Sequence, residues 1–242
     1  MAPLREIALG VFAAGLLLAG STFVRAQATP VGIRNIVLVH GAFVDGSGWQ
    51  PVYDMLVKDG YAVSVVQEPL TSLADDVAAT KRVLAQQPGP CILVAHSYGG
   101  TVITEAGNDS HVVGLVYIAA HMPAAGENEA ANSKRMPAAG HPPLKTPDGF
   151  LYLNPVYFYE DFAPDLPRGL ADFEARAQVT AKAEALTTPV TAPAWKTKPS
   201  WWRVPTASST PIWNACTPRG PTASKWKSRG PAIRSTGRTP RK

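Results

Sequence analysis

The residues with the clearest chemical potential surround Ser97, in the segment AHSYGG at 95–100. This segment lies between an apolar run at 91–95 and a stretch with helical spacing at 97–107. A serine on a tight turn from strand to helix is the context of a nucleophile elbow, which requires the small neighbours present here. The helix N-terminus behind the serine favours a developing negative charge. We predict that Ser97 is a nucleophile rather than a chance serine in an ordinary turn.

A second segment, His40-Gly41-Ala42, follows the apolar run at 35–39. In acyl-transfer enzymes with such an elbow, one oxyanion N–H comes from the loop after an early strand and one from the residue after the nucleophile. These donors are the backbone N–H groups of Ala42 (or Phe43) and Tyr98, and such donors stabilise a tetrahedral oxyanion. We expect His40 to brace the loop rather than to transfer protons. The residues that we expect to support Ser97 and the oxyanion hole are His40, Gly41, His96 and Gly99.

The elements that must position these residues alternate between strand and helix along the first half of the chain. We predict strands at 35–39, 61–67, 91–95 and 112–120, and helices at 49–58, 71–87 and 97–107. The short, continuously apolar strands indicate a buried parallel sheet with right-handed crossovers. Asp75 and Asp76 lie near a helix start, where acidic residues suit the helix dipole.

The alternation ends at His121. We predict a loop at 121–148, an aromatic segment at 148–162 and one or two helices at 166–185, followed by a strand candidate at 199–204. An insertion at this point, about 121–190, is typical of a cap over an active site. Its aromatic side chains could line the underside of the cap or only pack within it, and the pattern does not separate these alternatives.

Four segments carry a family resemblance: NIVLVHGAFVDGSGW, VVQEPLTSLADDVAATKRVL, VAHSYGG and ITEAGN. Together, and with PAWKTKPSWW, they resemble a bacterial α/β-hydrolase family that is similar to plant methylesterases and hydroxynitrile lyases. The resemblance covers about 35–207 and departs at Ala95, where the family usually has glycine. It implies an α/β-hydrolase fold, with a mostly parallel sheet, helices on both faces and a small cap. It also implies hydrolysis of a small ester by a Ser–His–Asp triad.

The chain departs from that family where the rest of the triad is expected. No histidine follows His141, and no acidic residue follows Glu184. Residues 208–242 are rich in Pro, Ser, Thr and basic side chains, with no strand or helix pattern, so we expect a disordered tail in place of the last helix and strand. A frameshift near codon 208 would explain this, because one back-translation in another frame gives a helix, a strand and a histidine. Without a base beside it, Ser97 would be impaired.

Two other residues could contribute to such a site. His121 follows the fourth strand and could replace the missing base, although a role as an ordinary cap-loop histidine is the preferred interpretation. Asp45 follows the oxyanion loop, and we expect it to fix a turn there. A lyase that uses the same serine, and a binding protein without catalysis, remain alternatives.

The N-terminal segment predicts export. Residues 1–28 combine Arg5, an apolar stretch at 7–20 and an Ala26-Gln27-Ala28 cleavage site, which is typical of a signal peptide rather than a lasting membrane anchor. The mature domain would then span 29–207 and be secreted or periplasmic.

Composition limits the remaining classes of function. The net charge is +5, but residues 219–242 hold eight Lys and Arg and no acid. These basic residues have no helical period, so we do not predict nucleic-acid binding. No Cys/His cluster has metal-ligand spacing, and we expect no metal, no cofactor and no disulfide between Cys91 and Cys216. The expected partner is a small ester-like substrate, and the oligomeric state stays open.

Overall fold

The computed structural model describes residues 32–135 and 140–203. The segment predicted to be a signal peptide (1–28), the tail at 208–242 and Cys216 lie outside the described residues. Within them, five parallel strands form the main sheet in the order β2-β1-β3-β4-β8. Their bounds are β1 Asn35–Val39, β2 Ala62–Val65, β3 Cys91–Ser97, β4 Val112–Ala120 and β8 Ser200–Arg203.

Helices cover both faces of this sheet, as predicted. Helices α2 (Leu73–Leu84) and α3 (Gly99–Ala106) pack on one face, and α1 (Gln50–Lys58) on the other. Alternate residues of each strand serve the two faces, because side chains alternate along a strand. Thus Val37 and Leu93 join the cluster under α2 and α3, whereas Ile36, Leu38 and Val94 join the cluster with α1 residues.

The segment at 121–190 contains short helices and a second, smaller sheet. Its helices are α4 Glu129–Arg135, α5 Phe158–Asp161, α6 Arg168–Glu174 and α7 Ala183–Thr187. Its strands, β5 Leu144–Lys145, β6 Phe150–Tyr152 and β7 Ala181–Lys182, form an antiparallel sheet. The prediction of a loop throughout 121–148 is therefore wrong, since α4 and β5 form there. Of the one or two helices predicted at 166–185, two form, α6 and α7, with β7 between them.

Several aromatic side chains of this segment pack within the segment itself. Phe158 is buried at the centre of a separate cluster with Phe162 and Tyr159, and the Phe158 and Phe162 rings lie 5.1 Å apart. Tyr157 stacks on His141 with 3.7 Å between ring centroids. For these residues the structure favours the packing interpretation.

Other corrections are local. The helix predicted from residue 97 begins at Gly99, because β3 continues through Ser97. The helix predicted at 71–87 is shorter, and Ser72 caps it by accepting a hydrogen bond from the Asp75 N–H. The strand predicted at 61–67 is limited to β2. No helix among the described residues is long and apolar enough to cross a membrane.

Candidate active site

Ser97 ends β3 in a backbone conformation that few residues adopt. Its φ is +51°, and α3 begins two residues later, at Gly99. A non-glycine residue in the left-handed region costs on the order of 1–3 kcal/mol and persists only where the surroundings impose it. The register between β3 and β4 shifts at this point, so that Ser97 pairs with Ala120. The strand, the strained residue and the helix together form the elbow that the sequence predicts.

Close backbone contacts hold the elbow against the loop after β1. A Cβ added to Gly99 would lie 2.3 Å from the His40 carbonyl oxygen, and one added to Gly41 would lie 2.9 Å from the Ser97 Cβ. The His96 Nδ1 is 3.4 Å from that same Gly41 position. Glycine is required at both positions because neither approach leaves room for a side chain. The structure therefore brings together Ser97 and the supporting residues His40, Gly41, His96 and Gly99.

Both predicted oxyanion donors belong to buried residues. Tyr98 is the N-cap residue of α3 and is fully buried, while Ala42 is 7% exposed in the loop that faces the elbow. Phe43, the alternative donor, has a φ of +69°. Asp45 accepts hydrogen bonds from the backbone N–H and the hydroxyl of Ser47, so it caps the following turn, which is the role expected of it.

His40 braces the loop through both ring nitrogens. Its Nδ1 lies 2.8 Å from the Gly41 carbonyl oxygen, and its Nε2 lies 3.0 Å from the Glu68 backbone N–H nitrogen. Since a carbonyl can only accept and an amide can only donate, Nδ1 carries the proton and Nε2 accepts. Burial lowers the pKa of His40, against smaller raising effects of Gly41 and Asp45, which favours this neutral form. His40 thus acts as a structural brace in this geometry.

A buried carboxylate holds the side chain of Tyr98. The Tyr98 hydroxyl donates to Asp76 Oδ2 over 2.7 Å, and the Leu70 backbone N–H donates to Asp76 Oδ1 over 2.8 Å. Burial raises the pKa of Asp76, and these two hydrogen bonds lower it in part. Asp76 is therefore more than the dipole-complementing residue predicted from sequence, since it holds Tyr98, a predicted oxyanion donor, and the positive-φ Leu70.

His121 lies beside the elbow and is paired with a residue of the cap. Its backbone N–H donates to the Ser97 carbonyl oxygen over 3.2 Å, and its Nε2 lies 2.9 Å from Glu129 Oε1. Glu129 also accepts from the Thr101 hydroxyl on α3. Both side chains of the pair are almost wholly buried. The pair links the cap to the helix behind Ser97.

The sequence did not predict a place near the site for three buried carboxyl groups: Glu68, Asp76 and Glu129. Each occurs in a segment whose pattern indicates only a loop or a helix start. Each of these residues forms a hydrogen bond with a residue that is 22 to 28 positions away in the sequence. The pairs are Asp76 with Tyr98, Glu129 with Thr101, and the backbone N–H of Glu68 with His40. The one local signal in the sequence that could have indicated a buried carboxyl group is an acidic residue directly after a largely apolar run, as Glu68 follows VSVVQ.

The whole-chain comparisons agree with this architecture. The model of the alpha/beta hydrolase family matches residues 36–231, so the chain belongs to that family and is, by resemblance, an enzyme of the hydrolase class. No curated protein is significantly similar to it in sequence.

Solved structures share the fold at low sequence identity. An extracellular α/β-hydrolase from a Paenibacillus species, described as homologous to tobacco salicylic acid binding protein 2, has a TM-score of 0.58 at 15% identity, over 70% of this chain and 76% of that one. Polyneuridine aldehyde esterase gives 0.58 at 15% identity, over 72% and 80%. A pyrethroid hydrolase from Sphingobium faniae gives 0.55 at 17% identity, over 75% and 92%.

Proposed function

We propose that this chain is an exported serine hydrolase that acts on a small ester or related acyl compound, with Ser97 as its nucleophile. The observation that carries the proposal is the strained Ser97 at the end of β3, packed against Gly41 of the loop that supplies the second oxyanion donor. Ser97 would attack the substrate carbonyl, and the backbone N–H groups of Tyr98 and Ala42 (or Phe43) would stabilise the resulting oxyanion. The esterases among the structural neighbours support this substrate class.

We further propose that catalysis is impaired in the chain as written. A serine hydroxyl is a weak nucleophile unless a neighbouring base accepts its proton. No histidine follows His141 and no acidic residue follows Glu184, so the usual base and its orienting acid have no candidates in the C-terminal segment. Among the described residues, Ser97 Oγ makes no hydrogen bond. The coding DNA around codon 208 tests the frameshift explanation, which requires an alternative frame that restores both residues.

A fluorophosphonate probe tests the nucleophile, because it labels serines that an oxyanion hole activates. We expect slow labelling of the wild-type chain, no labelling of Ser97→Ala, and unchanged labelling of Ser110→Ala, which removes an exposed serine elsewhere. Equal labelling of the wild type and Ser97→Ala would contradict the proposal.

Turnover of p-nitrophenyl acetate tests the impairment. We expect a rate at least about a thousandfold below that of an intact homologue, since losing triad members costs that much or more. A rate comparable with the homologue would show that another residue, such as His121, supplies the base.

Export is supported by the pattern at 1–28 alone. N-terminal sequencing of the protein from the medium or the periplasm should begin at Thr29. A protein that stays in the cytoplasm with residues 1–28 intact would contradict export.

A further inference from the structure

Glu68 is a buried carboxyl group that the proposed chemistry does not use. It follows β2 at the edge of the sheet that carries Ser97, and it is 4% exposed. Among the residues that the structure describes, neither of its carboxyl oxygens has a hydrogen-bond partner, although its backbone N–H donates to His40. A buried polar group without a partner costs free energy, so its retention calls for an explanation.

This carboxyl lies close to the ring nitrogen that braces the oxyanion loop. Glu68 Oε2 lies 3.6 Å from His40 Nδ1, the atom that donates to the Gly41 carbonyl over 2.8 Å. The Nδ1 proton therefore has two acceptors within reach. The Gly41 carbonyl holds it in this geometry, and a small rotation of the ring would give it to Glu68.

The charge on Glu68 decides which acceptor is stronger. A carboxylate is a much better acceptor than a peptide carbonyl, whereas a neutral carboxyl group is not. Burial, and to a lesser degree the charge of Asp76, raise the pKa of Glu68 well above its ordinary value. The carboxyl group therefore stays protonated and neutral at pH values at which an exposed glutamate is ionised. The titratable groups that face Glu68 are His40 after β1, Asp76 in α2 and Tyr98 at the start of α3.

Transfer of the Glu68 proton to His40 is disfavoured by the second hydrogen bond of the ring. His40 Nε2 accepts from the Glu68 backbone N–H. A proton placed on Nε2 would point at that amide hydrogen and break the bond. The imidazole therefore stays neutral, with its single proton on Nδ1.

We propose that Glu68 is a positioning residue for the oxyanion loop and that it acts through His40. When the Glu68 carboxyl is protonated, the His40 Nδ1–H stays on the Gly41 carbonyl and the loop keeps its place against Ser97. When Glu68 loses its proton, it draws the Nδ1–H away and releases Gly41. Gly41 precedes the proposed donor Ala42, so the release displaces one oxyanion donor. This inference rests on the proposed function for its effect on reactivity, but not for the hydrogen-bond switch itself.

The first experiment measures the rate constant of fluorophosphonate labelling from about pH 6 to pH 10 on the full chain. The variants are Glu68→Gln, which cannot ionise, and Glu160→Gln, which removes an exposed carboxylate of the cap as a matched control. We expect the ratio of wild-type to Glu68→Gln rates to fall about tenfold with rising pH, since loss of one oxyanion donor costs about a hundredfold or more when complete. The ratio to Glu160→Gln should stay constant. A constant ratio for Glu68→Gln would overturn the proposal.

The second experiment observes the switch without any need for catalysis. Nitrogen-15 NMR of the His40 ring should show the Nδ1–H tautomer in the wild type, with an Nδ1 shift that changes as Glu68 titrates. The change should be absent in Glu68→Gln and in Glu68→Leu, which suits the apolar surroundings if the amide variant fails to fold. If Ser97 is not labelled in any protein but the NMR transition occurs, the proposed function fails and the switch stands. A His40 shift that does not change with pH in the wild type would overturn the switch.

Discussion

The region around Ser97 and the outer part of the predicted cap, residues 140–190, are built under different constraints. Around the elbow, backbone segments pack so closely that a Cβ atom on Gly41 or Gly99 would clash with a neighbouring atom. The polar side chains of His40, Asp76 and His121 are buried there. In the cap, helices are short, Phe173 on α6 is 64% exposed, and ion pairs such as Arg168 with Asp172 lie at the surface. We therefore expect substitutions around the elbow to cost more stability than substitutions in the cap. Paired variants can test this difference.

The largest difference is expected between a buried polar pair and an exposed one. Glu129→Ala removes the carboxyl group that contacts His121 Nε2 and the Thr101 hydroxyl, both buried beside the elbow. Removing a partner from a buried polar group typically costs about 1–3 kcal/mol, and this variant removes one from two such groups. Asp172→Ala breaks the exposed pair with Arg168, and we expect no measurable change. Urea unfolding of both variants measures the free energies, and similar losses would contradict the comparison.

The next difference is expected between two helical glycines. Gly99→Ala would place a Cβ 2.3 Å from the His40 carbonyl oxygen, so backbone must move, and we expect a loss of about 1–3 kcal/mol. Gly169 in α6 has no atom near the corresponding position, and alanine there should stabilise by up to about 1 kcal/mol because alanine favours helix. Thermal unfolding should therefore shift in opposite directions. A neutral Gly99→Ala would show that the elbow is looser than its geometry indicates.

A smaller difference is expected between two tyrosine hydroxyl groups. Tyr98→Phe removes the donor to Asp76 Oδ2 and leaves that buried oxygen without it, at a cost of about 1–2 kcal/mol. Tyr159→Phe in the cap removes a hydroxyl that makes no hydrogen bond with a described residue, and its effect should be near zero. The variant keeps the backbone N–H of residue 98, a proposed oxyanion donor, but loses the side-chain anchor that holds this residue in place, so it should label more slowly with the fluorophosphonate probe. If the two variants are equally stable, the hydrogen bond from Tyr98 to Asp76 does not stabilise the fold.

The same contrast explains which features could be predicted from sequence. The bounds of β1 and β4 and the contact between the elbow and the loop after β1 follow from local patterns, because apolar runs and glycines report directly on strands and tight turns. The roles of Asp76 and Glu68 depend on contacts between distant segments, which no local pattern records. In the cap, α4 was missed because its sequence, EAANSKR, carries no apolar periodicity, although Glu129 and Asn132 are buried.

The smallest expected effect is on the pH dependence of stability and comes from His96. Burial, and to a lesser degree the nearby His40, lower the pKa of His96 from 6.5 to about 4. Between these values the unfolded chain binds a proton that the folded chain does not, so stability is full above pH 6.5 and falls as the pH drops towards 4. The side chain is half-buried, so we expect a loss on the order of 1 kcal/mol from this group. His96→Gln should remove that part of the slope when urea unfolding is measured at several pH values. If the variant keeps the wild-type slope, the acid sensitivity arises elsewhere than at the elbow.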